Sequence, residues 1–253
     1  MSTLKTEEEI EIMAEAGKRL ASVLEASAKS VRAGMKTKEI DELSNRLIRE
    51  AGCEPAFLNY RPHGAKKAYP ATACVSVNEV IVHGVPSDYV IKSGDIVKID
   101  LGLKHEGFYV DAAVTVGVGA IDAKKKELIE TTKKALELGI EEARPGRTLG
   151  DIGFAIEHCV KAKGFSVVDL LTGHGVGRDL HEDPYVYNSG RRGEGEELKE
   201  GMVIAIEPMV AAGKGRIKQL DDDSFATADG SASAHFEQTL AITKNGPKVL
   251  TRI

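Results

Sequence analysis

The sequence predicts a protein of the α+β class. Two helical patterns followed by a set of strand-like runs occur once in residues 1–120 or so and again in about 121–253. Neither a linker nor a low-complexity segment separates the two passes, and no residue-level repeat links them. The halves therefore share an architecture at most, and residues 1–253 are expected to form one domain.

The elements follow in order. Thr6 with Glu9 is a capping box, and Ile10, Met13, Leu20, Leu24, Ala28 and Val31 form a helical stripe ending near Gly34. Thr37 is the expected cap of a second helix that carries Ile40, Leu43 and Leu47 and stops at Gly52. Strand-like runs follow in ATACVSV, EVIVHGV, DIVKIDLGL and FYVDAAVTVGV. Asp122 then starts a helix running to about Arg144, closed by Pro145-Gly146, and Thr148 starts another that ends near Gly164. Strands return in FSVVDLL, GMVIAIEPMV and HFEQTLAITK.

Composition narrows the function classes. A hydrophobic fraction of 42% and a charged fraction of 29% suit a globular chain with a full core. A net charge of -5 argues against a specific nucleic-acid partner held by phosphate contacts. The acidic start MSTLKTEEEIEIM is unlike a signal peptide, and no run reaches the roughly 18 apolar residues of a membrane span. Cys53, Cys74 and Cys159, odd in number and widely spaced, fit a reducing cytoplasm.

KIDLGLKHEGFYVD, residues 98–111, has the pattern of a β-hairpin. A turn between His105 and Glu106 pairs Ile99 with Ala112, Leu101 with Val110 and Leu103 with Phe108, an entirely apolar face. On the other face this register sets Asp100 opposite Asp111, where like charges are destabilising. A wet face that tolerates the repulsion and a cation that reverses it account equally well for the hairpin alone.

Glu207 in VIAIEP and Glu237 in AHFEQTLAI interrupt apolar strand patterns, and buried carboxylates need a partner. A salt bridge would serve either one, but neither strand brings an obvious cation. Four acidic residues on strands together with a histidine would form an oxygen-rich site for divalent metal. His174 lies between two glycines, His181 follows seven residues later, and His83 ends an apolar run. His63, His105, His158 and His235 are expected to be ordinary loop, turn, helix and strand-end residues.

HGVP, IDLGLKHEGFYVD, GHGVGRDLHEDP, IEPM and FEQT stand in the order and spacing of the methionine aminopeptidases, and the chain resembles the short type I members over about residues 75–240. That resemblance implies a pita-bread (creatinase/aminopeptidase-like) fold, with two pseudo-symmetric halves around a central antiparallel sheet and helices outside. It implies two divalent ions (Mn²⁺, Fe²⁺, Co²⁺ or Zn²⁺), with Asp111 and Glu237 bridging, Asp100 on one ion, and His174 and Glu207 on the other. It makes Glu207 the proton carrier, His83 and His181 the histidines at the scissile peptide, and Tyr60, Tyr69 and Cys74 pocket-lining residues. The implied activity is removal of N-terminal methionine, when the next residue is small, from peptides and nascent chains. The chain is expected to be a cytoplasmic monomer, with N-terminal Met peptides and nascent chains, at the ribosome or free of it, as its partners.

The chain departs from that pattern in the RPHGAKKA link between the tyrosines, in Leu180, in having no tryptophan, and in Asp223 near its usual position. A proline-type or broader aminopeptidase of the same fold is the alternative within the fold, although no extra N-terminal domain is expected ahead of the first helix. A non-catalytic peptide-binding relative would be expected to lose metal ligands, and a bare structural-metal protein would leave His83 and His181 unexplained.

Overall fold

The computed structural model describes residues 3–61 and 67–252. Most of the RPHGAKKA link, His63 included, lies outside the described residues.

The first half opens with helix α1 (Glu7–Ser30), whose Thr6–Glu9 capping box forms as expected. Helix α2 spans Thr37–Glu50. Its N-cap is Lys36 rather than Thr37. The Thr37 hydroxyl accepts a hydrogen bond from the Ser87 N–H (2.9 Å) and donates to the Ser87 carbonyl (3.1 Å), fastening the helix start to a distant loop. Strands β1 (Glu54–Pro55), β2 (Ala73–Val77), β3 (Val80–Val82), β4 (Ile96–His105) and β5 (Phe108–Gly117) complete this half.

The second half brings α3 (Ala123–Glu142) and α4 (Leu149–Ala162), capped by Asp122 and Thr148 as expected. Then come β6 (Ser166–Val167), β7 (Thr172–Gly175), β8 (Glu182–Tyr187), β9 (Val203–Ile206), β10 (Met209–Ala211), β11 (Ile217–Gln219), β12 (Phe225–Thr227), β13 (Ser233–His235), β14 (Glu237–Thr243) and β15 (Gly246–Val249).

One antiparallel sheet carries both halves in the order β1-β4-β5-β14-β9-β7-β8, with β2 beside β4 and β15 beside β14. α1 and α2 pack on the β4–β5 part through a core that includes Met13, Leu20, Ile40, Ile99, Leu101 and Val110. α3 and α4 cover the β9–β14 part through Leu128, Ile152, Ile156, Ile204 and Leu240.

The β4–β5 hairpin keeps the expected faces but not the expected register. Asp100 pairs with Ala113 and Gly102 with Asp111, so every partner is displaced by two residues. Glu106 (φ 47°) and Gly107 (φ 87°) form a two-residue loop with His105 paired to Phe108. Such a loop, with both φ values positive, matches the twist of the flanking strands, and Gly107 makes it accessible. A shift of two preserves facing. Asp100 and Asp111 are therefore diagonal neighbours on one face, with Gly102 and Ala113 at the other corners.

That face is anchored by Lys98, which is 1% exposed. Its ammonium donates to the Asn78 carbonyl (2.6 Å) and to the carbonyl and hydroxyl oxygens of Ser233 (3.1 and 3.2 Å). The three oxygens replace the water that burial removed, and β4 is thereby tied to the start of β13.

Gly17 marks where α1 meets the C-terminal segment. A Cβ there would lie 2.2 Å from the Leu250 carbonyl oxygen. Gly17→Ala is expected to destabilise the protein by about 1–3 kcal/mol through overpacking. Urea unfolding checks this, and an unchanged midpoint would mean that the Leu250 segment can move aside at little cost.

Candidate metal centre

Five chemically related side chains come from five consecutive strands of the large sheet. Asp100 is on β4, Asp111 on β5, Glu237 on β14, Glu207 immediately after β9, and His174 on β7. Register explains the alignment. Asp100 pairs with Ala113, Ala113 pairs with Glu237, and Gln238 pairs with Ile206, which brings Glu207 level with Glu237.

Both glutamates sit where the chain changes sheets. β9 and β14 pair in the large sheet, while their continuations β10 and β13 pair in a separate three-stranded sheet with β6. The expected runs GMVIAIEPMV and HFEQTLAITK are each broken there, at Glu207-Pro208 and at Phe236. Pro208 cannot donate to a ladder, so it suits the break. Asn188 donates to the Glu207 carbonyl (3.0 Å) and fixes the bend. Between β5 and β14, Thr239 stands in for backbone pairing, accepting from the Asp111 N–H (3.0 Å) and donating to the Asp111 carbonyl (2.8 Å).

The side chains converge. His174 Nε2 lies 3.9 Å from Asp111 Oδ2, 3.6 Å from Glu207 Oε1 and 4.0 Å from Glu237 Oε1. Its Nδ1 lies 2.9 Å from the Gly175 carbonyl. That contact assigns the proton to Nδ1, which leaves the Nε2 lone pair facing the carboxylates, the arrangement of a metal-ligating histidine. Asp100 Oδ1, Asp111 Oδ1 and Glu237 Oε1 are buried and accept no hydrogen bond.

Burial, then the neighbouring carboxylates, push Asp111 and Glu237 well above the usual carboxylate range. Burial raises Asp100 and Glu207 to about 7. Buried oxygen acceptors without donors, crowded against like charges, fit a cation, and carboxylates with imidazole suit divalent metals. Asp111, His174 and Glu237 offer ligand atoms within 4.8 Å of one another.

The structure corrects one expectation here. His235, expected to be an ordinary strand-end residue, lies in this cluster. It is 1% exposed, with Nε2 3.4 Å from Glu207 Oε2. The usable signal was its spacing of two from Glu237, which puts both on one face of an extended chain.

The two other histidines stand at the rim. His181 packs edge-on against His174, with ring centroids 4.4 Å apart, and its Nδ1 lies 2.7 Å from the Tyr60 hydroxyl. His83 has φ 59° and meets Phe225 at 5.8 Å. Both side chains keep an open face to solvent. The protein around their inner faces and the neighbouring imidazoles lower both pKa values. Gly84, after His83, is required because a Cβ there would meet the Val75 carbonyl at 2.6 Å.

Beside the centre, Tyr60, Tyr69, Cys74 and Leu180 form an apolar cluster with Ala56, Phe57 and Tyr109. The Tyr69 hydroxyl donates to the Ala73 and Gly84 carbonyls (3.0 Å each). Cys74 is paired with Asp100, which joins this cluster to the metal centre. Phe57 escaped sequence reading. Its trace was Gly102 inside a strand, where a Cβ would sit 2.8 Å from the Phe57 ring. Asp223 occupies a turn (φ 67°), where it accepts from Gln219 (3.1 Å).

Comparison with known proteins identifies the family. Residues 11–244 match metallopeptidase family M24. The chain belongs to family M24. A methionine aminopeptidase of Clostridium perfringens is 46% identical over the full length of both chains. The crystal structure of methionine aminopeptidase from Thermotoga maritima superposes with a TM-score of 0.95 at 42% identity, covering all of both chains. The prolidase from Pyrococcus furiosus gives 0.80 at 28% identity, covering 99% of this chain and 65% of that one. The fold is thus the M24 pita-bread fold, and the family's chemistry is metal-dependent hydrolysis. Among the described residues no helix is long and apolar enough to cross a membrane.

The raised carboxylates set a pH dependence for the metal-free protein. Asp100 and Glu207 have folded values of about 7 against ordinary values of 3.8 and 4.5. A raised folded value contributes stability that is present below the unfolded value and lost as pH rises through the folded one. Lys98, pushed down to about 7 by burial, works in the opposite sense, but it is one group against four carboxylates. Chelated protein should therefore lose stability between about pH 6.5 and 8, a range above the ordinary histidine value. Saturating Mn²⁺ should reverse the trend, because the ion competes with protons for the same oxygens. Urea unfolding at several pH values reads both slopes, and a metal-free protein that gains stability across this range would contradict the assignment.

Proposed function

We propose that this chain removes N-terminal methionine from peptides and nascent proteins at a dinuclear metal centre held by Asp100, Asp111, His174, Glu207 and Glu237. The observation that carries the reading is the stripe of donors across five adjacent strands, with an apolar, aromatic and thiol-lined cluster joined to it at Cys74–Asp100. When bound, divalent ions supply Lewis acidity at the scissile carbonyl and lower the pKa of water.

The remaining work falls to side chains. Glu207 takes a proton from water and returns it to the leaving amine, a role supported by its little solvent access and by having one oxygen toward His174 and the other toward His235. If the Tyr60 hydroxyl donates to His181 Nδ1, then His181 Nε2 carries a hydrogen and can donate to the oxygen that gains charge. His83, on the same rim, is the second group for the scissile peptide.

Tyr60, Tyr69 and Cys74, with Phe57 and Leu180 beside them, receive the first side chain of the substrate. An unbranched thioether packs well against aromatic edges, and a charged side chain would lose its hydration there. The cytoplasm, where nascent chains and reduced cysteines coexist, is the setting proposed for a protein acting as a monomer.

Two measurements test this reading. Met-Ala-Ser should be cleaved well, Leu-Ala-Ser less well and Lys-Ala-Ser hardly at all, with Ala-Pro as a control for prolidase activity. Similar rates on all of them would remove the methionine assignment while leaving the metal centre intact. His181→Ala should lose turnover by about 10²–10³-fold, the usual effect of removing one donor to a developing oxyanion, yet keep its metal. His174→Ala should lose metal affinity. Loss of metal from the His181 variant would mean that the two histidine roles are exchanged.

A further inference from the structure

We infer that His235 is itself a metal ligand, supplying a second imidazole nitrogen to the centre. The inference rests on the metal-centre reading above and does not depend on the identity of the substrate. His235 is 1% exposed, and both ring nitrogens are buried without a hydrogen-bond partner among the described residues. Buried polar atoms in native proteins nearly always have partners, so two on one ring call for an explanation. The backbone that carries the ring is held on both sides. The His235 N–H donates to Thr115 Oγ1 (2.9 Å), and the same hydroxyl donates to the His235 carbonyl (2.6 Å).

The ring faces ligand atoms. Its Nε2 lies 3.4 Å from Glu207 Oε2 without making a hydrogen bond, and Glu207, His235 and Glu237 offer atoms within 4.8 Å of one another. This is a second donor group beside that of Asp111, His174 and Glu237, and the two groups share Glu237. Glu207 is flanked symmetrically, with Oε1 3.6 Å from His174 and Oε2 3.4 Å from His235. His174 is the family-type ligand, and His235 repeats its relation to the carboxylate on the other side. Each of the two donor groups then contains one imidazole.

A hydrogen bond from His235 to the Glu207 carboxylate would make it a positioning residue only, and the two roles are separable. The full-length protein, stripped and reloaded with Co²⁺, is observed by proton NMR. A cobalt-bound imidazole gives a strongly shifted, exchangeable N–H signal. Two such signals are expected in the parent, one in His235→Gln and one in His174→Gln. Titration should show that the affinity for one of two Co²⁺ ions falls at least tenfold in His235→Gln. Thermal melts of the metal-free variants report folding, and His235→Asn replaces His235→Gln should the latter fail to fold. A single shifted signal that persists unchanged in His235→Gln, with both affinities intact, overturns the inference while leaving the centre in place. A parent that binds no Co²⁺ overturns both.

Discussion

Mutual repulsion among buried carboxylates is the constraint around which this molecule is organised. Asp111 is 4% exposed and Glu237 2%, and Asp100 and Glu207 are mostly covered. Removing such charges from water costs several kcal/mol for each ion, and bringing them together adds to the cost. A sheet can hold them only if they are protonated or share cations. The same crowding that makes the metal-free site uncomfortable makes it a strong ligand set, since metal binding exchanges protons for ions on the same oxygens.

The fold provides for this crowding by taking material away around it. Ala113 occupies one corner between Asp100 and Asp111 with a single methyl group, and at the other corner Gly102 leaves its space to the Phe57 ring. The β5–β14 ladder pairs only at Ala113–Glu237 and Ala112–Gln238 before the Thr239 hydroxyl takes over. Thr115 serves the same purpose for His235. Both threonines satisfy an N–H and a C=O at once, so the strands can separate at the site without orphaned backbone groups. Lys98 then fastens β4 to the Ser233 segment, so that the strand leading to His235 and Glu237 enters at a fixed height.

How much of this could be read from the sequence depended on the range of the signal. Alternation along β4 and β5 identified the correct faces, because a buried face constrains every second residue. The register was legible only through Gly107, whose place inside a two-residue loop decides it. Glu207 and Glu237 stood out because a carboxylate inside an apolar run is expensive, yet the breaks beside them, where the chain leaves one sheet for another, were not visible. Thr37 has a cap's chemistry but spends its hydroxyl on Ser87, 50 residues away, a partner that local rules do not supply. His235 is inconspicuous for a related reason, since a lone histidine on a strand is ordinarily satisfied by neighbours that the sequence does not place. Phe57 joins the apolar cluster from outside the strands, and its only trace in the sequence is the missing side chain at Gly102.

The proposed chemistry and the proposed specificity therefore rest on different kinds of structure. The candidate ligands sit on adjacent strands of one sheet, where register fixes their spacing. The apolar cluster proposed as the pocket is assembled largely from residues outside those strands, Ala56, Phe57, Tyr60, Tyr69 and Leu180, which can change with little effect on the sheet. The two parts meet where Cys74 pairs with Asp100 and where Tyr109 shares β5 with Asp111, so the apolar cluster and the carboxylates are held by the same strands. Leu180, a departure of this chain from its family pattern, falls on the adjustable side of that junction. His235 falls on the other side, in the sheet framework, and a nitrogen there alters the chemistry of the centre rather than the shape of the pocket.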